Sequence, residues 1–180
     1  LCKRQITQNV NNTNLVQAGT VPFTFLQFSL LSVGIFTSFV MASASIDKDM
    51  RTKIDTVCTT AEAFVKLYYD HVDKKRQHMS RLYMDTGLLV WNGNGAKGKD
   101  EIQKYFHELP RSEHTITTLD AQPIVDDAVS SQLTFVMQVS GTVRFQENPT
   151  KPFQQTFMIT AQGDKWKIVS DCFRLQDGIF

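Results

Sequence analysis

The sequence is poor in cysteine, in net charge and in repetition. Cys2, Cys58 and Cys172 are too few and too scattered for a disulfide framework or a Cys-built zinc site. Nineteen Lys and Arg face 18 Asp and Glu, leaving a formal charge of +1. A domain that grips nucleic acid unaided shows a basic excess or a clustered basic face, so this balance argues against that class. There is no H-E-x-x-H and no Cys pair, and His71 and His78, like His107 and His114, stand seven apart, so no metal site is expected. Residues 41–180 contain no internal repeat or low-complexity tract. What remains is a globular balance, 42% apolar and 21% charged over 180 residues, about one domain.

The first forty residues also lack acid. They hold Lys3 and Arg4 but no Asp or Glu, so the other 140 carry 17 basic and 18 acidic groups, a net of −1. Val21 to Val40 is a twenty-residue run without a charge, about the length that crosses a bilayer as a helix. Ala42-Ser43-Ala44 has the small-residue pattern of a signal-peptidase site, and Asn11-Asn12-Thr13 is a formal glycosylation sequon. A membrane anchor and a cleaved signal sequence are therefore both open readings. Against them, only 12 of the 20 residues are apolar, and the first methionine, Met41, stands directly before a domain-like pattern. The expectation is that residues 1–40 are a leader outside the working protein, with no membrane contact, and that 41–180 form one domain.

From Lys48 the pattern is helical. Ile54, Val57, Cys58, Ala61, Phe64, Val65, Tyr68 and Tyr69 form one apolar stripe, with Lys53, Asp55, Glu62 and Lys66 off it. Asp73-Lys74-Lys75-Arg76 reads as the solvated opening of a short polar helix ending at Leu82-Tyr83-Met84. Gly87–Trp91 is a short strand closed by two turn dipeptides, Asn92-Gly93 and Asn94-Gly95. Asp100–Leu109 makes a third helix with Ile102, Tyr105, Phe106 and Leu109 inward, capping-box spacing at Asp100 and Gln103, and Pro110 as its stop.

After Pro110 the period becomes two. A strand spans Thr115 to Val125. In the next, Leu133, Phe135, Met137, Val139, Gly141, Val143 and Phe145 oppose Gln132, Thr134, Val136, Gln138, Ser140, Thr142 and Arg144. Beyond a turn at Glu147-Asn148-Pro149, Phe153, Gln155, Phe157, Ile159 and Ala161 alternate with Gln154, Thr156, Met158 and Thr160. Gln162 to Lys165 turns into a last strand, Trp166 to Leu175. This order predicts an α+β domain, a curved antiparallel sheet with three helices packed on one face.

Two motifs are set aside. Gly93-Asn94-Gly95-Ala96-Lys97-Gly98 matches G-x-G-x-x-G with Asp120 at a distance suited to a ribose, but a dinucleotide site needs a parallel βαβ unit and alternating strands follow instead. With Lys99 the same glycines approach a phosphate loop, yet Asp100 stands where Ser or Thr is needed and would oppose phosphate. A turn and helix cap is the reading, and no cofactor is expected.

The second sheet face is informative. Gln138, Ser140, Thr142, Gln154, Thr156, Met158 and Thr160 are uncharged and mid-polar. Exposed sheets carry more Lys and Glu, whereas charge depletion marks interface cores, so these seven are candidate partner-binding residues. A catalytic reading would need a carboxylate or His base beside a Tyr or acid partner within the fold. Tyr68, Tyr83, His107, Asp120 and Asp171 could supply one, but the tyrosines fit apolar helix faces, His107 lies beside one, and the aspartates can cap or pair at strand ends. Cys58 and Cys172 read as small core residues.

Several segments carry a family resemblance: Ala61–Asp85, VWNGN at Val90–Asn94, Glu108–Pro110, Asp120–Pro123, Ser140–Phe145, Phe153–Gln162 and WKIVSDCFRLQD at Trp166–Asp177. Through them residues 41–180 resemble the nuclear transport factor 2-like family, in particular its small export factors that partner the large mRNA export receptor. The resemblance implies a cone-shaped domain without catalysis. It also implies a heterodimer, sheet face to sheet face, with the similarly folded receptor domain. Arg174 takes the position of the arginine that ion-pairs with a receptor aspartate. RNA and nucleoporin phenylalanine–glycine repeats would be reached only through the partner, by a protein shuttling between nucleus and cytoplasm. A homodimeric carrier, or an isomerase or dehydratase of the same fold, are the alternatives. Leu175 replaces a usual aromatic, and Asp177-Gly178-Ile179-Phe180 lacks the family's tryptophan.

Overall fold

The computed structural model describes residues 2–5, 48–124 and 132–176. The sequon, the uncharged run 21–40, the Ala-Ser-Ala pattern and the chain end from 177 lie outside these residues. The chain divides into one unit of residues 1–7 with 52–180 and another of residues 8–51. Among the described residues, no helix is long and apolar enough to cross a membrane.

Helix α1, Lys48–Lys74, buries Val57, Ala61, Phe64, Val65, Tyr68, Tyr69 and Val72 along the expected stripe. A 3-10 helix, Arg76–Leu82, follows it. The basic run between them is not a solvated helix start. Lys74 and Lys75 do face solvent, 3.3 and 2.8 Å from the Asp70 carboxylate. Asp73, however, accepts hydrogen bonds from Ser112 Oγ (2.8 Å), the His114 amide (2.9 Å) and His114 Nδ1 (2.7 Å). Arg76 donates to the carbonyls of Val72, Leu109 and Pro110 and to Ser112 Oγ, so a planar fork of donors gathers three chain segments.

Strands β2 (Tyr83–Trp91) and β3 (Asn94–Lys97) form a hairpin. Its two turn residues, Asn92 and Gly93, have φ of 51° and 87°, as a tight primed turn requires. Asn94-Gly95 therefore belongs to a strand and is no second turn. Helix α2, Lys99–Glu108, starts after Gly98 at φ 84°, one residue ahead of the capping box expected at Asp100 and Gln103. Glu101 instead reaches back to the Lys97 amide at 3.1 Å. Gln103 serves the 3-10 helix, accepting from the Ser80 amide and donating to the Arg76 carbonyl.

Strands β4 (Ser112–Pro123), β5 (Thr134–Phe145), β6 (Lys151–Gln162) and β7 (Lys165–Leu175) complete the sheet, with β1 (Cys2–Gln5) paired to β4. The order is β1-β4-β5-β6-β7-β2-β3. The sheet is mixed rather than antiparallel throughout, because β2 runs parallel to β7. Parallel pairing needs a long connection, and here a strand, a helix and three further strands supply it.

The helices cover one face. Tyr68 of α1 meets Phe157 edge-on at 4.8 Å, and Trp91 meets Phe106 of α2 at 5.7 Å and stacks on Phe173 at 3.8 Å. The register shift between Ile116 and Thr118 brings β4 tight against Gly141, where an added Cβ would lie 2.1 Å from the Thr115 carbonyl oxygen. Glycine is required there for close approach.

Candidate functional site

The outer sheet face is a lattice of cross-strand neighbours. Asp120, Gln138, Thr156 and Cys172 occupy one row; Thr118, Ser140, Gln154 and Arg174 occupy the next. A third row runs through Gln122, Val136, Met158, Ser170 and Leu88. Gln138 and Thr156 are exposed, and Ser140, Thr142, Gln154 and Met158 are half-buried. Six of the seven predicted face residues thus lie together on this surface. Thr160 differs: it is 6% exposed and shares a 2.9 Å hydrogen bond with Thr134 Oγ1, which withdraws its hydroxyl from contact.

One extra residue governs the far strand. Met158 pairs with Ser170 but Ile159 pairs with Ile168, so Val169 is a bulge between them. Strict alternation would put Arg174 on the side of Ile168, which is fully buried. The bulge reverses the parity, burying Asp171 and Phe173 and exposing Cys172 and Arg174. Cys172 is accordingly a surface thiol and not the small core residue expected, while Cys58 is half-buried. The Arg174 guanidinium passes over the β2–β3 turn, with Nη1 3.9 Å from where a Cβ on Gly93 would sit. The glycine of the apparent nucleotide motif thus serves the turn, through its φ of 87°, and a Cβ there would only touch this arginine. Leu88, 42% exposed, and half-buried Val90 extend the same face and were not singled out, because β2 looked too short to carry an outer row.

Three of the five candidate catalytic groups do converge, on the opposite side of the sheet. Asp171 is 0% exposed, and its Oδ2 accepts from Tyr68 (2.7 Å) and Tyr83 (2.5 Å) while Oδ1 accepts from Gln155 Nε2 (2.6 Å). Gln155 also donates to Tyr68 Oη at 2.8 Å and accepts from Tyr69 Oη at 2.8 Å. Burial pushes the Asp171 carboxyl from 3.8 up to about 6, against the pull of these hydrogen bonds. Burial and the nearby Asp171 charge hold both tyrosines well above their ordinary value. Gln155, invisible as a site residue because it occupies an inward position among phenylalanines, is central to the cluster. His107 is exposed on α2 and Asp120 lies on the outer face, so neither joins it.

A second buried pair joins Asp73 to His114, whose side chain has no exposed surface. Burial alone would raise the Asp73 carboxyl, but the hydrogen bonds and charge of His114 outweigh it and hold the group low. Phe153 packs edge-on to the imidazole at 5.3 Å. His71 and His78 lie with ring centroids 6.2 Å apart, and among the described residues no group of three or more His, Cys, Asp or Glu is placed to hold a metal ion.

Helices on one face of a bent mixed sheet, with the other face left as a charge-poor lattice, define the nuclear transport factor 2-like class of α+β domain. The family model of the Nuclear transport factor 2 (NTF2) domain matches residues 60–175, and the chain belongs to that family. NTF2-related export protein 1 of Bos taurus is 45% identical over 133 residues, covering 72% of this chain and 95% of that protein. The NTF2-related export protein of Caenorhabditis elegans is 30% identical over 137 residues, covering 75% and 99%. Among solved structures, nuclear transport factor 2 from Cryptosporidium parvum superposes with a TM-score of 0.60 at 26% identity, covering 69% and 95%.

Proposed function

We propose that this chain is a non-catalytic adaptor subunit in nuclear mRNA export, pairing its outer sheet face with the nuclear transport factor 2-like domain of the large export receptor. The observation that carries the reading is the Val169 bulge, which turns Arg174 out beside Gln154 within a field of Gln, Ser and Thr. An exposed cation beside uncharged Gln, Ser and Thr side chains is suited to one complementary carboxylate, and such a pair sets register between two sheets. The names of the relatives, export proteins and nuclear transport factors, support a place in nucleocytoplasmic transport. The buried cluster supports a structural rather than catalytic role, since both Asp171 oxygens are already bonded and no surface of that side chain meets solvent. RNA and nucleoporins are then engaged through the receptor. An interface of this kind buries about 1,600 Å² or more in total.

Size-exclusion chromatography with light scattering tests the reading. The chain mixed with the receptor domain elutes as a one-to-one heterodimer. A stable homodimer that ignores the receptor domain overturns it and favours a homodimeric carrier.

A further inference from the structure

We propose a second docking site, on the helical side of the sheet, for a partner-protein segment bearing a bulky apolar side chain flanked by carboxylates. A groove of about 510 Å³ opens between α1 and the start of β7. Ala63 and Leu67 form its α1 wall, and Trp166 faces them, held edge-on against Phe135 at 5.3 Å. Leu67 is 44% exposed and lies off the buried stripe, so packing within this fold leaves it uncovered. Arg81 and Lys165 line the groove, and among the described residues no carboxylate does.

Arg81 also lines a second, polar cavity of about 230 Å³ with Lys99 and Lys167. The one carboxylate among its described lining residues, Asp85, is engaged by Lys99 at 2.9 Å. Lys167 Nζ donates to the Arg81 backbone carbonyl at 2.6 Å, which holds the lysine side chain against the segment that carries Arg81. An apolar slot therefore adjoins a cationic one through a shared arginine. Burial of an aromatic or leucine side chain supplies affinity in the slot, and acidic neighbours answer the excess positive charge. A neutral aromatic segment would leave the cations unanswered, and a nucleic acid would leave the slot unfilled. Because the groove lies on the face opposite the Arg174 lattice, its occupant does not compete with a sheet-face partner.

The test is selection of a random-peptide phage library on the full chain, followed by affinity measurements with the enriched peptides as synthetic probes. Enriched sequences carry Phe, Leu or Trp within about three positions of Asp or Glu, and lose about tenfold or more in affinity against either Leu67→Glu or Arg81→Glu. Both substitutions are at exposed positions, and circular dichroism checks that the fold is retained. No enrichment, or enriched peptides that bind both variants as well as the parent, overturns the proposal. Loss with Leu67→Glu alone, by peptides without acidic residues, replaces the acidic segment with a neutral one. A single-stranded oligonucleotide that binds through Arg81 and ignores Leu67→Glu replaces the peptide altogether.

Discussion

Asp171 offers a measurement that isolates one buried proton. Burial holds its folded-state pKa at about 6, above the ordinary 3.8, in spite of three hydrogen bonds that favour the ion. A carboxyl raised in this way stabilises the fold fully below pH 3.8, and that contribution is lost as pH climbs through about 6. At about 1.4 kcal/mol per pKa unit the loss amounts to about 3 kcal/mol, of which about 2 falls between roughly pH 4.5 and 7.5. Asp171→Asn keeps the size and the acceptor oxygen while removing the titration. Urea unfolding of the parent chain and the variant, followed by tryptophan fluorescence at those two pH values, gives four stabilities. Every other titrating group cancels in the difference between the two proteins. The expected result is that the parent loses about 2 kcal/mol relative to the variant as pH rises. Parallel pH profiles would refute the reasoning. A variant that falls further behind at high pH would show that the tyrosines and Gln155 hold Asp171 ionised.

Other consequences follow from the outer face and the tight packing behind it. Arg174→Asp costs about 2–5 kcal/mol of affinity for the receptor domain, measured by calorimetry, because it leaves the partner carboxylate unpaired and opposed. Maleimide labelling read by peptide mass spectrometry modifies Cys172 rapidly in the free chain and slowly in the complex, while Cys58 reacts slowly in both. Gly141→Ala forces a Cβ into backbone at 2.1 Å, so it destabilises by about 3 kcal/mol or more in denaturant titrations, with Ser140→Ala nearly neutral beside it.

How much of this was legible in the residues depends on how far each feature is local. The stripe of α1 and the alternation of β5 and β6 are period signals, and they placed Phe135, Met137, Phe153 and Phe157 in the core. The Val169 bulge has no such signal, since Val fits either strand face, and the expectation of Cys172 as a small core residue fails there. The parallel β2–β7 pairing is non-local, as are the roles of Asp73 and Arg76, most of whose partners lie more than thirty residues onward in the chain. Charges inside a basic run look solvated until the strand that receives them is in place. Arg174 was marked by family resemblance and not by pattern, and its outward aim needed the bulge. Tyr68, Tyr83 and Asp171 were each visible as candidates, but Gln155, which ties them together, was hidden within the alternation of β6.

The parallel pairing of β2 with β7 also sets an order of assembly during synthesis. A ribosome releases the chain from its N-terminus, so α1, the β2–β3 hairpin and α2 emerge long before residues 165–175 exist. Until then β2 presents a bare edge where β7 will lie, and Leu88, Val90 and Trp91 are paired only on the β3 side. The Tyr68 and Tyr83 hydroxyls likewise await Asp171, their shared acceptor. Pairing of β2 within the domain is thus completed only once β7, the last of the described strands, has been made. A nascent chain halted at the β6–β7 turn holds nearly all of the sequence of this domain but not the strand that joins its two halves.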